Sequence, residues 1–81
     1  MTETNGSTDV GETVALIWRD VLATPVTEDS DFFESGGHSL AVLQVLNRLK
    51  EHFGIELSVR DLFENSVLRD FIAIVQMRVD R

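Results

Sequence analysis

The sequence predicts an all-α fold: a small bundle of three main helices plus one short helix, with a long loop between helices 1 and 2. Three observations support this prediction. In three separate stretches, apolar residues recur at spacings of three and four, as they do on the buried face of an amphipathic helix. Residues 23–38, between the first two stretches, show no helical period. The length of 81 residues is that of a single domain with a modest core.

Helix 1 is predicted to begin after Asp9 and to end near Leu22. Asp9 and Glu12 resemble a capping box with Asp in place of Ser or Thr. Thr24-Pro25 ends the helix, because the residue before a proline avoids the helical region. Trp18 is expected to pack in the core rather than to bind a ligand. The apolar positions that form the period are Val14, Ile17, Trp18, Val21 and Leu22.

The loop that follows carries acidic side chains and a pair of aromatic ones. We expect Phe32 and Phe33 to pin the loop to the core, with at least one ring pointing inward. The carboxylates are interpreted as a solvated face, since they lack a recognisable metal-ligand spacing. A loop this long in so small a domain is often functional. The acidic residues of the loop are Glu28, Asp29, Asp31 and Glu34.

Helix 2 is predicted from Ser39 to about Phe53, with Gly54 just past its end. Leu40 and Leu43 fall outside the core face, and apolar residues that a core does not need can form a docking surface. Leu40 could instead pack under the loop, so Leu43 is the better candidate for a partner contact. The predicted core face consists of Val42, Val45, Leu46, Leu49 and Phe53.

Two further helices are predicted after residue 57. Ser58 and Asp61 have the spacing of an N-cap pair before a short helix 3 over residues 59–64, with Leu62 and Phe63 as its apolar anchors. Asn65 or Ser66 is then expected to cap helix 4, over residues 67–79. The inward-facing positions of helix 4 are predicted to be Leu68, Phe71, Ile72, Val75 and Val79.

The start of helix 2 is the candidate functional site. Two glycines allow a close approach of backbone just before Ser39, and a hydroxyl at a helix start meets free backbone N–H groups and the positive end of the helix dipole. A phosphate ester there would be held in a favourable field. The alternative is an ordinary hydroxyl that caps its own helix.

Nucleophilic catalysis by Ser39 would need a base within reach of its hydroxyl. His38 is adjacent to Ser39, but adjacent residues on a turn point apart, and His52 lies at the far end of helix 2. No catalytic residue is therefore predicted.

The run from Asp31 to Leu40 resembles the signature of peptidyl carrier (thiolation) domains of nonribosomal peptide synthesis, which belong to the phosphopantetheine-dependent acyl carrier proteins. The sequence departs from that signature at Ser35, usually Leu, and at Ser66, usually Pro. The resemblance implies an acyl-carrier-like fold and identifies Ser39 as the attachment point of a covalent 4'-phosphopantetheine. The matching residues are Phe32, Phe33, Gly36, Gly37, His38, Ser39 and Leu40.

Because the chain begins at Met1 and ends just after helix 4, we expect a stand-alone peptidyl carrier protein. Its carrier domain is expected over residues 9–79, between a polar tail (1–8) expected to be disordered and a frayed end (80–81). Its expected partners are a phosphopantetheinyl transferase, an adenylation enzyme, and condensation, tailoring or thioesterase enzymes, and Leu40 and Leu43 are the expected docking residues. A discrete acyl carrier of a polyketide or D-alanyl transfer pathway is one alternative. An unmodified helical interaction domain is another.

Composition excludes several other classes of protein. The net charge of −7, from 14 acidic and 7 basic residues, argues against nucleic-acid binding and favours docking to basic patches on partners. The sequence has no cysteine and no apolar run of the ~18 residues that a membrane span needs. Its first residues lack the basic start and apolar core of a signal peptide. We therefore expect a cytoplasmic monomer with no metal site.

Overall fold

The computed structural model describes residues 9–80, so the predicted tail (1–8) and Arg81 lie outside the described residues. Within this range the chain forms four helices: α1 (Val10–Leu22), α2 (Ser39–Phe53), α3 (Val59–Glu64) and α4 (Leu68–Val79). The predicted all-α bundle, with one short helix and a long loop after α1, is confirmed. Among residues 9–80, no helix is both long and apolar enough to cross a membrane.

The core is formed by all four helices together with Phe32 from the middle of the loop. Trp18 is fully buried, as predicted, and its ring meets Phe32 edge-on with centroids 5.0 Å apart and Phe71 at 5.7 Å. Phe32 is therefore the loop ring that points inward. The buried indole N–H of Trp18 finds no acceptor within the described residues. Such a group costs about 1–3 kcal/mol, which burial of the large ring offsets.

The inward faces of α2 and α4 follow their apolar periods. On α2, Val42, Val45 and Leu49 are buried as predicted, while Leu46 and Phe53 are half-buried against the core. Ala41 is also buried, which the period did not indicate. On α4 the buried residues are Leu68, Phe71 and Val75, with Ile72 and Val79 half-buried beside them.

Three helix ends have the predicted caps. The Asp9 carboxylate accepts the amide of Glu12 at 2.9 Å and begins α1. Ser58 and Asp61 form a reciprocal capping box that begins α3. Gly54 adopts a left-handed conformation (φ 70°) just after α2. Local sequence therefore sets these boundaries, because each cap involves partners within a few residues.

The start of α4 differs from the prediction. Neither Asn65 nor Ser66 caps it: the N-cap residue is Val67, whose side chain has no hydrogen-bonding group. The Asn65 amide instead bonds the carbonyl of Asp61 at the end of α3. The Ser66 hydroxyl donates to the carboxylate of Asp31 in the loop. Both side chains are thus engaged by partners other than α4.

Backbone carbonyls of the loop take the place of a side-chain cap on α4. The amide of Leu68 donates to the carbonyl of Ser30 at 2.9 Å, and the amide of Arg69 donates to that of Glu28 at 3.0 Å. The Arg69 guanidinium also pairs with the carboxylate of Asp29. The loop and the first turn of α4 therefore satisfy each other's polar groups.

On α3, Leu62 is an apolar anchor but Phe63 is not. Leu62 is fully buried, whereas Phe63 is 56% exposed, so the prediction for Phe63 is wrong. Adjacent helical positions are about 100° apart, and a short helix at the edge of a bundle buries one of them. The ring of Phe63 stacks on Phe33, with centroids 4.9 Å apart and planes 5° from parallel.

This difference predicts unequal costs for two neighbouring truncations. Leu62→Ala should lower the free energy of unfolding by about 2–5 kcal/mol, because it leaves a cavity in the core. Phe63→Ala should cost about 1 kcal/mol or less, since only the stacking on Phe33 is lost. Urea unfolding followed by circular dichroism measures both values. Equal losses would place Phe63 in the core after all.

Candidate functional site

Ser39 is the first residue of α2, and its side chain is exposed. The N-cap residue is His38, which is extended (φ −140°, ψ −175°) and whose carbonyl accepts the amide of Val42 at 2.9 Å. Among residues 9–80, no side chain forms a capping hydrogen bond at this helix end, so the alternative that Ser39 caps its own helix is wrong. The hydroxyl of Ser39 is left open to solvent.

The electrostatics at this end of α2 favour an anion. The first amide N–H groups of a helix have no partner inside it, and in the described part of the chain no side chain supplies one. The first turn also contains no acidic residue, unlike those of the other three helices. With 15 residues, α2 is the longest helix among the described residues, and its dipole places partial positive charge beside Ser39. A phosphate ester on the hydroxyl would lie in this field.

Glycine is required at position 37 by contact and at position 36 by conformation. A Cβ on Gly37 would lie 2.3 Å from the buried ring of Phe32, so any side chain there would displace it. The Gly37 amide donates to the Phe32 carbonyl at 2.9 Å and fixes this close approach. Gly36 has φ 102°, a conformation that L side chains rarely adopt, and has open space around it. Together they bring the chain from the core to Ser39 in a tight turn.

Asp31 organises the turn that precedes the glycines. Its Oδ1 accepts the amides of Phe33 at 2.9 Å and Glu34 at 3.1 Å, and its Oδ2 accepts the Ser66 hydroxyl at 2.8 Å. Partial burial alone would raise the pKa of Asp31, but hydrogen bonds from Ser66, Glu34 and Phe33 outweigh it and lower the pKa below its ordinary value. Sequence reasoning grouped Asp31 with the solvated charges. The sequence signal that was missed is the tendency of an Asp carboxylate to accept the backbone amides of residues two and three positions later in the chain.

Within residues 9–80, no side chain is placed to act as a catalytic base for the Ser39 hydroxyl. His38 is exposed, and within residues 9–80 no side-chain hydrogen bond joins it to Ser39. His52 lies in the last turn of α2, where its ring meets Phe53. Residues 9–80 contain no group of three or more His, Cys, Asp or Glu side chains that could hold a metal ion. The arrangement therefore suits a hydroxyl that receives a group delivered by another protein.

Apolar side chains are exposed on the two helices that follow the site. Leu40 is 59% exposed, so the alternative that it packs under the loop is wrong, and Leu43 one turn further is 55% exposed. Val59 and Phe63 are exposed on one face of α3. Sequence reasoning named the two leucines and missed this second pair.

The comparisons with known proteins agree with this geometry. Residues 12–75 match the family model described as "Phosphopantetheine attachment site". One component of the linear gramicidin synthase of Brevibacillus parabrevis is 50% identical over 62 residues, which cover 75% of this chain and 1% of that protein. This chain spans 1% to 8% of the length of eight of the curated relatives it matches.

Two solved structures are similar over nearly the whole chain. BlmI, a type-II acyl-carrier-protein from Streptomyces verticillus involved in bleomycin biosynthesis, has a TM-score of 0.80 and 28% identity, covering 88% of this chain and 87% of that one. The structure of the phosphopantetheine transferase Sfp with coenzyme A and a peptidyl carrier protein contains a chain with a TM-score of 0.81 and 27% identity. That match covers 94% of this chain and 96% of the other.

The close approach at Gly37 predicts a large effect from one methyl group. Gly37→Ala should lower the free energy of unfolding by about 1–3 kcal/mol, because the added Cβ meets the Phe32 ring. Gly11→Ala is the matched control: its Cβ would make only ordinary contacts of 3.5 Å or more, inside α1. That change should stabilise the protein by about 0.5–1 kcal/mol, since alanine favours the helix. Urea unfolding compares the two, and a neutral Gly37→Ala would contradict the contact.

Proposed function

Because the chain belongs to the phosphopantetheine attachment-site family, we propose that Ser39 carries 4'-phosphopantetheine and that the thiol of this arm holds an aminoacyl or acyl group as a thioester. The chain is a carrier domain and not an enzyme, so partner enzymes perform each transfer. The observation that carries the proposal is the exposed hydroxyl of Ser39, which forms no capping hydrogen bond and lies at the positive end of the α2 dipole. Bound to Ser39, the arm supplies a thiol at the end of a flexible tether.

The residues around Ser39 fit this group. Gly36 has open space around its Cα, and the exposed hydroxyl leaves room for a transferase to approach. The unpartnered amides at the start of α2 would face the phosphate oxygens that attachment introduces. His38 and Leu40, exposed on either side of Ser39, would belong to the surface that the transferase recognises.

Attachment is a phosphoryl transfer in which this chain supplies the nucleophile. The oxygen of Ser39 forms a bond to the phosphorus that carries the pantetheine of coenzyme A, and the pyrophosphate bond of coenzyme A breaks. Adenosine 3',5'-bisphosphate leaves, and the hydroxyl proton passes to a base of the transferase. The carrier then raises the effective concentration of its bound group at each docked partner.

We extend the proposal to nonribosomal peptide biosynthesis, supported by the 50% identity to part of a linear gramicidin synthase. The partners would be a phosphopantetheinyl transferase, an adenylation enzyme, and condensation, tailoring or thioesterase enzymes. Action as a discrete carrier is supported by the match to the type-II protein BlmI, of which this chain covers 87%. A polyketide or D-alanyl transfer pathway is the alternative, and the mass of the acyl group carried by protein from the native host distinguishes them.

Ser39→Ala should abolish attachment without unfolding the protein. The wild-type protein, incubated with a broad-specificity phosphopantetheinyl transferase and coenzyme A, should gain the mass of one phosphopantetheinyl group, and Ser39→Ala should gain none. Because the Ser39 hydroxyl makes no capping bond, the free energy of unfolding should change by about 0.5 kcal/mol or less. Intact-mass spectrometry and urea unfolding measure the two results.

Ser58→Ala is the control for that experiment. Ser58 also stands at a helix start but lies in a capping box away from the glycine turn, so this variant should still gain one group. Modification that persists in Ser39→Ala would refute the assignment of the attachment residue.

We also propose Leu40 and Leu43 as docking residues, because they are large, apolar and exposed on the first turns of α2. Leu43→Glu should raise the KM of the transferase for this carrier about fivefold, the effect of losing roughly 1 kcal/mol of interface contact. Stability should change little, since Leu43 is 55% exposed. Gln44→Glu adds the same charge at the next exposed position of α2 and should leave KM unchanged. A large loss of stability in Leu43→Glu would show that Leu43 belongs to the core.

A further inference from the structure

Ser66 joins the loop to the start of α4 through both its side chain and its backbone. Its hydroxyl donates to Oδ2 of Asp31 at 2.8 Å. Its carbonyl accepts the amide of Phe32 at 2.7 Å, the shortest backbone contact between the loop and this region. Ser66 therefore holds two consecutive loop residues, Asp31 by its carboxylate and Phe32 by its amide.

Two backbone hydrogen bonds, from Phe32 to Ser66 and from Gly37 to Phe32, link this contact to Gly37, which lies two residues before Ser39 in the chain. Phe32, fixed by Ser66 and by burial of its ring, accepts the amide of Gly37 at 2.9 Å. Gly37 is followed by His38, whose carbonyl begins α2 directly before Ser39. A displacement at Ser66 would therefore shift Phe32 and Gly37, and with them the segment that leads into Ser39.

We propose that Ser66 and Asp31 form a latch that positions the Ser39 hydroxyl for attachment of phosphopantetheine, an inference that rests on the proposed function of Ser39. Both are positioning residues, since neither contacts the reacting atoms. The latch, defined as the hydrogen bond from Ser66 Oγ to Asp31 Oδ2, holds the loop in the one arrangement that presents Ser39 at the start of α2.

The hydrogen bond between the Ser66 and Asp31 side chains has a different effect from the backbone bond between Ser66 and Phe32. While Oδ2 is held by Ser66, Oδ1 is free to accept the amides of Phe33 and Glu34 and to close the turn before the glycines. Burial opposes the charge on Asp31, and the bond from Ser66 is the largest of the influences that lower its pKa. Loss of the hydroxyl would leave a half-buried carboxylate oxygen without its donor, which favours rotation of the side chain and opening of the turn.

The chain offers a matched control for this contact. Ser58 Oγ donates to Asp61 Oδ2 at 3.1 Å, also between a serine and an aspartate at a helix start. That pair lies within α3 and its cap and makes no bond to the loop. Ser58→Ala should therefore show what the loss of a serine–aspartate bond does to this domain when the loop is not involved.

The test compares Ser66→Ala, Ser66→Thr and Ser58→Ala in the intact 81-residue chain. Exchange of the Gly37 amide with solvent, followed by NMR, should be about tenfold faster in Ser66→Ala, because its bond to Phe32 opens more often. The kcat of the transferase should fall roughly three- to tenfold, with the KM for the carrier changed less than about twofold, since the hydroxyl is misplaced while the docking residues are not. Ser66→Thr keeps a hydroxyl and should restore both values, and Ser58→Ala should leave both unchanged.

Asp31→Asn tests the same latch by a second route. It keeps one carbonyl acceptor for the turn amides but replaces Oδ2 by an NH2 group, which cannot accept the Ser66 proton, so it should shift both measurements in the same direction as Ser66→Ala. The latch is overturned if Ser66→Ala matches Ser58→Ala in both measurements, or if Gly37 exchange rises while kcat stays at the wild-type value. A wild-type chain that accepts no phosphopantetheine would overturn the proposed function and the positioning role. The exchange rates would still decide whether the latch holds the loop.

Discussion

Burial of the Phe32 ring is the interaction on which the candidate site depends. The ring fills the core against Trp18, and the ring together with the Phe32 carbonyl oxygen leaves room only for glycine at position 37. That same backbone accepts the Gly37 amide and donates to Ser66. The exposed hydroxyl of Ser39 therefore takes its position from apolar packing inside the bundle. A reactive group on the surface can be held reproducibly in this way without being buried itself.

The long loop is held in place by backbone hydrogen bonds as well as by burial of the Phe32 ring. A loop without secondary structure must find partners for its backbone groups, and the first turn of a helix has amides in need of acceptors. Here each supplies the other: carbonyls of Glu28 and Ser30 receive the first amides of α4. Val67 can therefore occupy the N-cap position of α4, where a polar residue would normally be preferred. Loop carbonyls thus cap α4, and the amides of α4 in turn hold the loop in place.

The parts of the structure that sequence predicted are those set by short-range rules. The period of α1 placed Trp18 in the core, and the caps at Asp9 and Ser58 follow from spacings of three residues. Ser66 was assigned to the nearest helix because a local rule cannot detect a partner 35 residues away. The sequence did not decide whether Ser39 is the N-cap residue or the first residue of α2. These two positions differ by one residue, which sequence patterns do not resolve.

The number of residues that separate Asp31 from Ser66 in the chain also affects the order in which parts of the domain can fold. Asp31 and Ser66 are 35 residues apart, and Asp29 and Arg69 are 40 apart, so these bonds close large loops of chain. Ser39 lies between them and is synthesised before α4. On a growing chain, α1 and α2 can pair while the segment before Ser39 still lacks its acceptors and donors. The contacts that hold the segment before Ser39 are complete only once α4 has emerged and docked, so Ser39 is positioned only after the bundle has formed.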